Sequence, residues 1–411
     1  MGIDLESVYR DLHTHPELGF AETRTAQVAA GHLRDLGLTV TTGVGGTGVV
    51  GVLENGEGPV VALRADMDGL PVEERTGLDY ASTVRAVGPD GTDVPVMHAC
   101  GHDVHVTCLL GAVEDLVARR DSWSGTLVAV VQPAEELVAG AQAMVDDGLV
   151  ERFPTPDVVL GQHVAPLPAG IVGLRPGPTM AGSDSVTVTF HGRGGHGSRP
   201  QTTVDPLLTA CHAVVRLQSI VSRESEPGEI VVVSVGAIHA GSADNVVPAE
   251  ATLSINVRTV SDQSRTRVLT AVRRIVEAEA AAAGMTTPPT VVESKHAPAT
   301  VNDEAATARV RATFVETFGE HAVIDPGTVT GSEDVGAIAT AAGAPLVFWF
   351  FGGADPAAIA AAAAAGTLDS DVPSNHSPFF APVVQPTLDV GVAALSAAAR
   401  EWFGLQRPPE C

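Results

Sequence analysis

The decapeptide MHACGHDVHV, residues 97–106, holds one cysteine and three histidines. Cys100 and His102 flank Gly101, and Asp103 and His105 follow closely. Three readings compete: ligation of a cation, a thiol nucleophile beside its base, and a polar loop without chemistry. Side chains two apart on an extended segment point the same way. Cys100 and His102 would then face one ion, with Gly101 allowing close backbone approach. A nucleophilic cysteine normally meets a histidine delivered from elsewhere in the fold, so ligation is the favoured reading.

Further donors stand where a sheet would deliver them. Asp66 and Asp68 follow the apolar run VVALR, Glu135 and Glu136 follow TLVAVV, and His163 ends VVLGQH. In open α/β sheets ligands bind outside the carboxyl ends of the strands, so three runs bring acids or imidazole to one edge. Consecutive side chains diverge. Of the pair Glu135–Glu136, one can ligate while the other takes a proton from a water acidified by the cation. The competing reading places both at a solvated helix N-terminus, where acids are favoured anyway. His376 lies in the proline-bounded stretch VPSNHSPFF, residues 372–380. Cys100, His102, Glu136, His163 and His376 would make five ligands. With one of them bridging, they suit two ions roughly 3.5–4 Å apart.

The elements that must position these groups are legible in outline. At 411 residues, two domains are expected rather than one. Short β-rich apolar runs at 47–54, 59–66, 126–133, 157–164 and 344–353 alternate with helical stretches such as 104–120 and 139–149. This pattern predicts an α/β layered domain whose mixed, largely parallel sheet is buried on both faces. Residues 3–37 read as a helix interrupted at Pro16. The middle of the chain differs. Residues 183–197 alternate apolar and polar, a helix follows at 204–223, then two strands, a helix at 262–283 and a strand near 288–294. That order predicts an inserted, ferredoxin-like α/β sandwich. The expected domains are 1–181 with 295–411, and an inserted 182–294. The alanine-rich stretch 357–366 reads as a short surface helix or mobile loop.

Composition excludes several classes. Hydrophobic residues make up 45% and the net charge is −25. No Lys/Arg cluster is present to bind phosphates, so nucleic acid is not an expected partner. An anionic substrate would need a local cationic receptor. No run approaches the ~18 apolar residues of a membrane span, and the N-terminus lacks the pattern of a signal peptide. Cys100, Cys108, Cys211 and Cys411 suggest no disulfide framework. A reducing cytoplasm is therefore expected, in which Cys100 stays free to ligate.

Eight stretches occur in order: HPELGF with Glu22, ADMDGLP, MHACGHD, QPAEE, GGHGSRP, DNVVP, GSEDV and NHSPFF. Together they resemble the dinuclear-metal amidohydrolase and metallopeptidase family, in its branch of aminoacylases, hippurate hydrolases and indoleacetyl-amino-acid hydrolases. The likeness runs from about residue 10 to 400. It implies that Cys100, His102, Glu136, His163 and His376 ligate two divalent ions, zinc or manganese with cobalt possible, and that Glu135 is the general base. It also implies that His196 polarises the substrate carbonyl, often from the partner subunit of a dimer, and that Asn245 and Arg258 hold the substrate's carboxylate. Where wider relatives carry H-x-D-x-x-P, this chain has Asp66, Asp68 and Pro71. The resemblance implies that His102 supplies the missing imidazole and that Cys100 stands where relatives use a carboxylate, a substitution typical of the acyl-amino-acid branch that leaves Asp66 and Asp68 to orient ligands.

The resulting expectation is a metal-dependent amidohydrolase that cleaves the amide of small N-acyl-amino acids. It would be a homodimer or higher homo-oligomer joined through the inserted domain. The rivals are an aminopeptidase or dipeptidase, and a non-catalytic binder of acyl-amino acids. Arg258, in the strand LSINVRTV, is either structurally paired or a fork for a ligand carboxylate. Without the family, His196 could equally be a turn histidine between glycines. His13 and His15 read as capping or packing residues, and His105 as near the site but outside it. Ser332 and Glu333 read as a helix cap.

Overall fold

The computed structural model of the chain describes residues 2–88 and 91–403; Cys411 lies outside them. Two compact units are present. The first comprises residues 1–179, 301–327 and 334–411, and the second residues 180–300 with 328–333.

The first unit is built on an eight-stranded mixed sheet. Its four central strands are parallel and lie in the spatial order Gly125–Gln132, Val60–Asp66, Val158–Pro168 and Leu346–Ala354. Gly48–Asn55 and Thr39–Val44 extend one side antiparallel. Two short pieces, 172–173 and 323–324, complete the other. The central strands are mostly apolar because helices bury them: Val61, Leu63, Leu127, Ala129, Leu160 and Trp349 share one core with Leu109, Val113, Leu395 and Ala398. Parallel strands end on the same side, so Asp66, Gln132 and His163 fall along one edge. This is the α/β architecture expected from the apolar runs.

The helix His102–Ala118 is apolar nearly all round because it is buried nearly all round. It starts from Gly101, whose φ of +83° lies in the left-handed region. A Cβ there would stand 2.4 Å from Val164 Cγ1, so both conformation and space require glycine. Cys100–Gly101–His102 is thus a sharp turn into a helix, not the extended segment anticipated from its spacing. The N-terminal region forms two helices, Leu5–Thr14 and Thr23–Asp35. The alanine-rich stretch is a helix, Pro356–Ala365, capped by the Asp355 carboxylate on the N–H groups of Ala357 and Ala358. The cap expected at 331–336 does not form. The helix Gly336–Ala342 begins after Val335 and has no side-chain cap. No described helix is long and apolar enough to cross a membrane.

The second unit is a four-stranded antiparallel sheet in the order Val231–Ala240, Glu250–Thr259, Gly182–His191, Thr290–Ala297. Along Gly182–His191 every second residue is buried. Val186, Val188 and Phe190 meet Ala210, Ala213 and Leu217 of the helix Pro206–Ser219, and Val268, Val272 and Ile275 of the helix Asp262–Ala282. The order is ferredoxin-like. A two-stranded ribbon projects from it and pairs His196 with Val246.

Candidate metal centre

Six of the nine candidate residues converge at the sheet edge of the first unit. Cys100 Sγ lies 3.4 Å from His163 Nε2. Glu136 Oε1 lies 3.3 Å from His376 Nε2, and His102 Nε2 is 3.9 Å from both Glu135 Oε2 and Glu136 Oε1. Donor atoms of Cys100, His102 and His163, of Cys100, Glu136 and His376, and of His102, Glu135 and Glu136 each lie within 4.8 Å of one another. Cys100, His102 and Glu136 each belong to two of these groups, so the three groups form one continuous cluster.

Hydrogen bonding sets which imidazole nitrogen faces the cluster. His163 Nδ1 donates to the Val164 carbonyl at 2.7 Å, which leaves the Nε2 lone pair toward Cys100. His102 Nδ1 donates to Asp68 Oδ1 at 3.1 Å, which directs its Nε2 inward. Among the described residues that buried Nε2 makes no hydrogen bond, and neither does the buried Glu136 Oε1, although His376 Nε2 stands 3.3 Å from it as an ion-pair partner. Buried polar atoms are rarely left so. Two of them aimed into one cluster of thiol, carboxylates and imidazoles fit divalent cations, and this donor set suits zinc and its neighbours.

The electrostatics agree. Burial pushes the Cys100 thiol well up, and Glu136, Glu135 and Asp66 push it further. Burial disfavours a charged His102 ring, yet Asp66, Asp68 and Glu136 outweigh it and raise its pKa to about 10. The cluster is therefore short of positive charge. Burial also holds His163 well below the usual imidazole range, in the neutral form a ligand requires.

Supporting groups hold the donors in place. Asp68, 1% exposed, accepts the N–H groups of Glu135 and Glu136 at 3.1 Å each as well as His102 Nδ1. Glu135 and Glu136 thus sit in a buried turn rather than on a solvated helix end. Ala134 and Val138, on either side of them, have φ of +47° and +52°. Such backbone costs on the order of 1–3 kcal/mol per non-glycine residue and persists only when its surroundings enforce it. His376 is left-handed too, φ +70°, with its N–H bonded to the Ala99 carbonyl. Asn375 Nδ2 donates to the carbonyls of Cys100 and Val164, joining the segments that carry Cys100, His163 and His376.

His105 joins Asp66 and His102 in a further group of close donor atoms, but its own nitrogens are engaged. Its Nδ1 donates to Asp66 Oδ1 at 2.5 Å and its Nε2 accepts the Val164 N–H at 2.8 Å, so both nitrogens are used. Asp66 is also held by Arg64 Nη1 at 2.8 Å. His13 is more than a packing residue: it bonds Asp103 at 2.6 Å and Glu74 at 3.1 Å in the interior. Sequence reasoning missed Asp334, which accepts from Gln132 Nε2 at 2.6 Å and from the Ala141 N–H at 3.0 Å. Only its place in GSEDV hinted at a role.

The other three candidates lie in the second unit. His196 is exposed, and its Nδ1 accepts from the Ser198 N–H at 3.1 Å, so the neutral ring carries its proton on Nε2. Asn245 is exposed and adjoins it through the bond from Gly197 N to Asn245 O. Arg258 donates to Asn256 Oδ1, the Thr330 carbonyl and Ser332 Oγ. All three acceptors are neutral. Among the described residues no carboxylate pairs with this guanidinium.

The model of Peptidase family M20/M25/M40 matches residues 62–373. A hippurate hydrolase of Campylobacter jejuni is 38% identical over 81% of this chain and 84% of its own. Thermostable carboxypeptidase 1 of Saccharolobus solfataricus is 36% identical over 80% of each. The crystal structure of a dinuclear metal-binding M20 peptidase from Bacillus subtilis superposes with a TM-score of 0.76 at 27% identity, covering 96% of both chains. The family match spans well over half of the chain, and the chain belongs to Peptidase family M20/M25/M40.

Proposed function

We propose that this protein is a metal-dependent amidohydrolase that splits N-acyl-amino acids into a carboxylic acid and a free amino acid. The observation that carries this reading is the convergence of Cys100, His102, Glu136, His163 and His376 on one buried cluster, in which His102 Nε2 has no hydrogen-bond partner among the described residues. These five side chains would hold two divalent ions. When bound, such ions would supply Lewis acidity toward the scissile carbonyl and toward a water. Glu135, 5% exposed and outside the five, accepts the water's proton and returns it to the departing nitrogen. Asp68 fixes the Glu135 backbone and the His102 ring together. His196 is the proposed donor to the carbonyl oxygen through Nε2–H. Arg258, with Asn245, is the proposed receptor for the substrate carboxylate, supported by a guanidinium that among the described residues bonds only neutral acceptors.

Two relatives support the substrate class. A hippurate hydrolase acts on an acylated glycine and a carboxypeptidase on the end of a peptide. Both names imply an amide bond next to an amino acid with a free carboxylate. A thiolate among the ligands favours zinc, while imidazole and carboxylate also admit manganese or cobalt. We further propose residence in the cytoplasm, supported by free thiols at Cys100, Cys108 and Cys211. A homodimer or higher homo-oligomer through the second unit is supported by exposed Leu207, Leu208, Val215 and Ile238.

The test is a panel of N-benzoyl-, N-acetyl- and free-amine substrates sharing one C-terminal amino acid, assayed with stripped protein resupplied with one ion at a time. The expected result is ion-dependent turnover of the acylated compounds with the free-amine dipeptide slower. A preference for the free amine would favour the dipeptidase reading. Binding without turnover under every ion would favour the binding protein.

A further inference from the structure

The turn 133–140, which carries Glu135 and Glu136, is gripped by carboxylates from three distant segments. Asp68 takes the N–H groups of Glu135 and Glu136, and Asp334 takes that of Ala141 just beyond. The third is Glu22. It immediately precedes the helix Thr23–Asp35, where the helix dipole favours an acidic side chain. Yet it makes no capping bond. Its carboxylate is 0% exposed and reaches the turn instead. One oxygen, Oε1, accepts the Ala134 N–H at 2.8 Å, and the other accepts the Thr47 hydroxyl at 2.5 Å. Burial raises the Glu22 pKa, opposed by these hydrogen bonds.

The surroundings leave the turn little slack. A Cβ on Gly19 would stand 3.1 Å from Leu137 Cδ1 and 3.2 Å from Ala134 Cα, so the segment before Glu22 lies directly against it. A Cβ on Gly140 would stand 1.5 Å from the Pro133 carbonyl oxygen. Ala134 is the left-handed residue immediately before Glu135. A group that holds its N–H therefore sets the direction in which Glu135 leaves the turn.

We propose that Glu22 is a positioning residue for Glu135: anchored by Thr47, it fixes the left-handed backbone at Ala134 and so aims the carboxylate that moves the proton. This rests on the reading of the site as a hydrolase centre with Glu135 as base. Glu22 is not among the metal-binding candidates and acts only through the backbone of the turn.

The test compares Glu22→Ala and Glu22→Gln in the metal-loaded full chain, with N-benzoylglycine as probe. Kcat, KM, bound metal per chain and the melting temperature are read together. Displacing a reacting group by about 1 Å costs on the order of 100-fold. Glu22→Ala is therefore expected to lose about that factor in kcat, with KM and metal content unchanged. Glu22→Gln should recover most of it, because its amide oxygen can accept from Ala134 and its NH2 can donate to Thr47 Oγ1. A wild-type kcat in folded Glu22→Ala overturns the proposal. So does Glu22→Gln as impaired as Glu22→Ala, or a lowered melting temperature with kcat per folded chain intact. Should Glu22→Ala fail to fold, Glu22→Asp, too short to reach both partners, is read the same way. A wild-type protein inactive on every N-acyl-amino acid would instead overturn the hydrolase reading itself.

Discussion

Replacing Asp68 by asparagine tests how the centre is held together, because the change keeps shape and removes one acceptor. Asp68 is fully surrounded, and both its oxygens accept from N–H donors: Oδ1 from His102 Nδ1 and Glu135 N, Oδ2 from Glu136 N. An asparagine has one oxygen and one NH2. Whichever way the amide turns, the NH2 opposes at least one of these donors. Leaving a buried donor unmet costs about 1–3 kcal/mol, and the bonds that survive lose the charge that roughly doubles their strength. If the NH2 faces His102, the ring also loses the partner that keeps its proton on Nδ1. Removing such a partner of a metal-bound histidine typically weakens metal affinity or activity by about 10–100-fold. Calorimetric titration of stripped protein with zinc or manganese, alongside kcat/KM at saturating ion, measures both effects. Asp68→Asn is expected to bind the ion about 10–100-fold more weakly while circular dichroism stays that of the wild type. Unchanged affinity and unchanged kcat/KM would refute the role given to Asp68.

Other consequences can be checked independently. Burial disfavours charge on His13, but Asp103 and Glu74 outweigh it and raise its pKa from 6.5 to about 10. A raised folded pKa contributes stability that is complete below the unfolded value and lost as pH rises through the folded one. Wild-type stability relative to His13→Gln should therefore fall by a few kcal/mol between pH 6.5 and about 10; parallel denaturation profiles would contradict this. Gly140→Ala, forced against the Pro133 carbonyl, should destabilise by about 1–3 kcal/mol or more and depress turnover. Gly336→Ala, with nothing within 4 Å of the new Cβ, should do neither. Arg258→Met should raise KM for substrates with a free carboxylate but not for their carboxamide analogues; an equal rise for both would remove Arg258 as the carboxylate receptor. Stripping the ions should lower the melting temperature in proportion to the affinity lost, and a midpoint indifferent to chelator would argue against tight binding.

The sheet was legible because strands buried on both faces leave continuous apolar runs, as in VVALR and TLVAVV. The donors were legible because they follow those runs directly, where parallel strands end together. What escaped depends on contacts that no local pattern records. Arg64 and Asp334 meet across 270 positions, and GSEDV was read as a helix cap although its Asp334 grips Gln132 and Ala141. Glu22 stood out only alongside the HPELGF stretch, and only its fold-back onto Ala134 reveals a use. The turn at Gly101 escaped because alternation alone does not distinguish an extended dipeptide from a left-handed step into a helix. Cys100 and His102 reach the same cluster by that second route.

The most direct measurement is anomalous diffraction, at the absorption edge of the activating ion, from crystals of protein loaded with that ion. Two peaks are expected, bounded by Cys100 Sγ, the Nε2 atoms of His102, His163 and His376, and the Glu136 carboxylate, with Glu135 beside them and unligated. Peaks elsewhere, or none within reach of Cys100 and His376 in protein that hydrolyses N-acyl-amino acids, would contradict that arrangement.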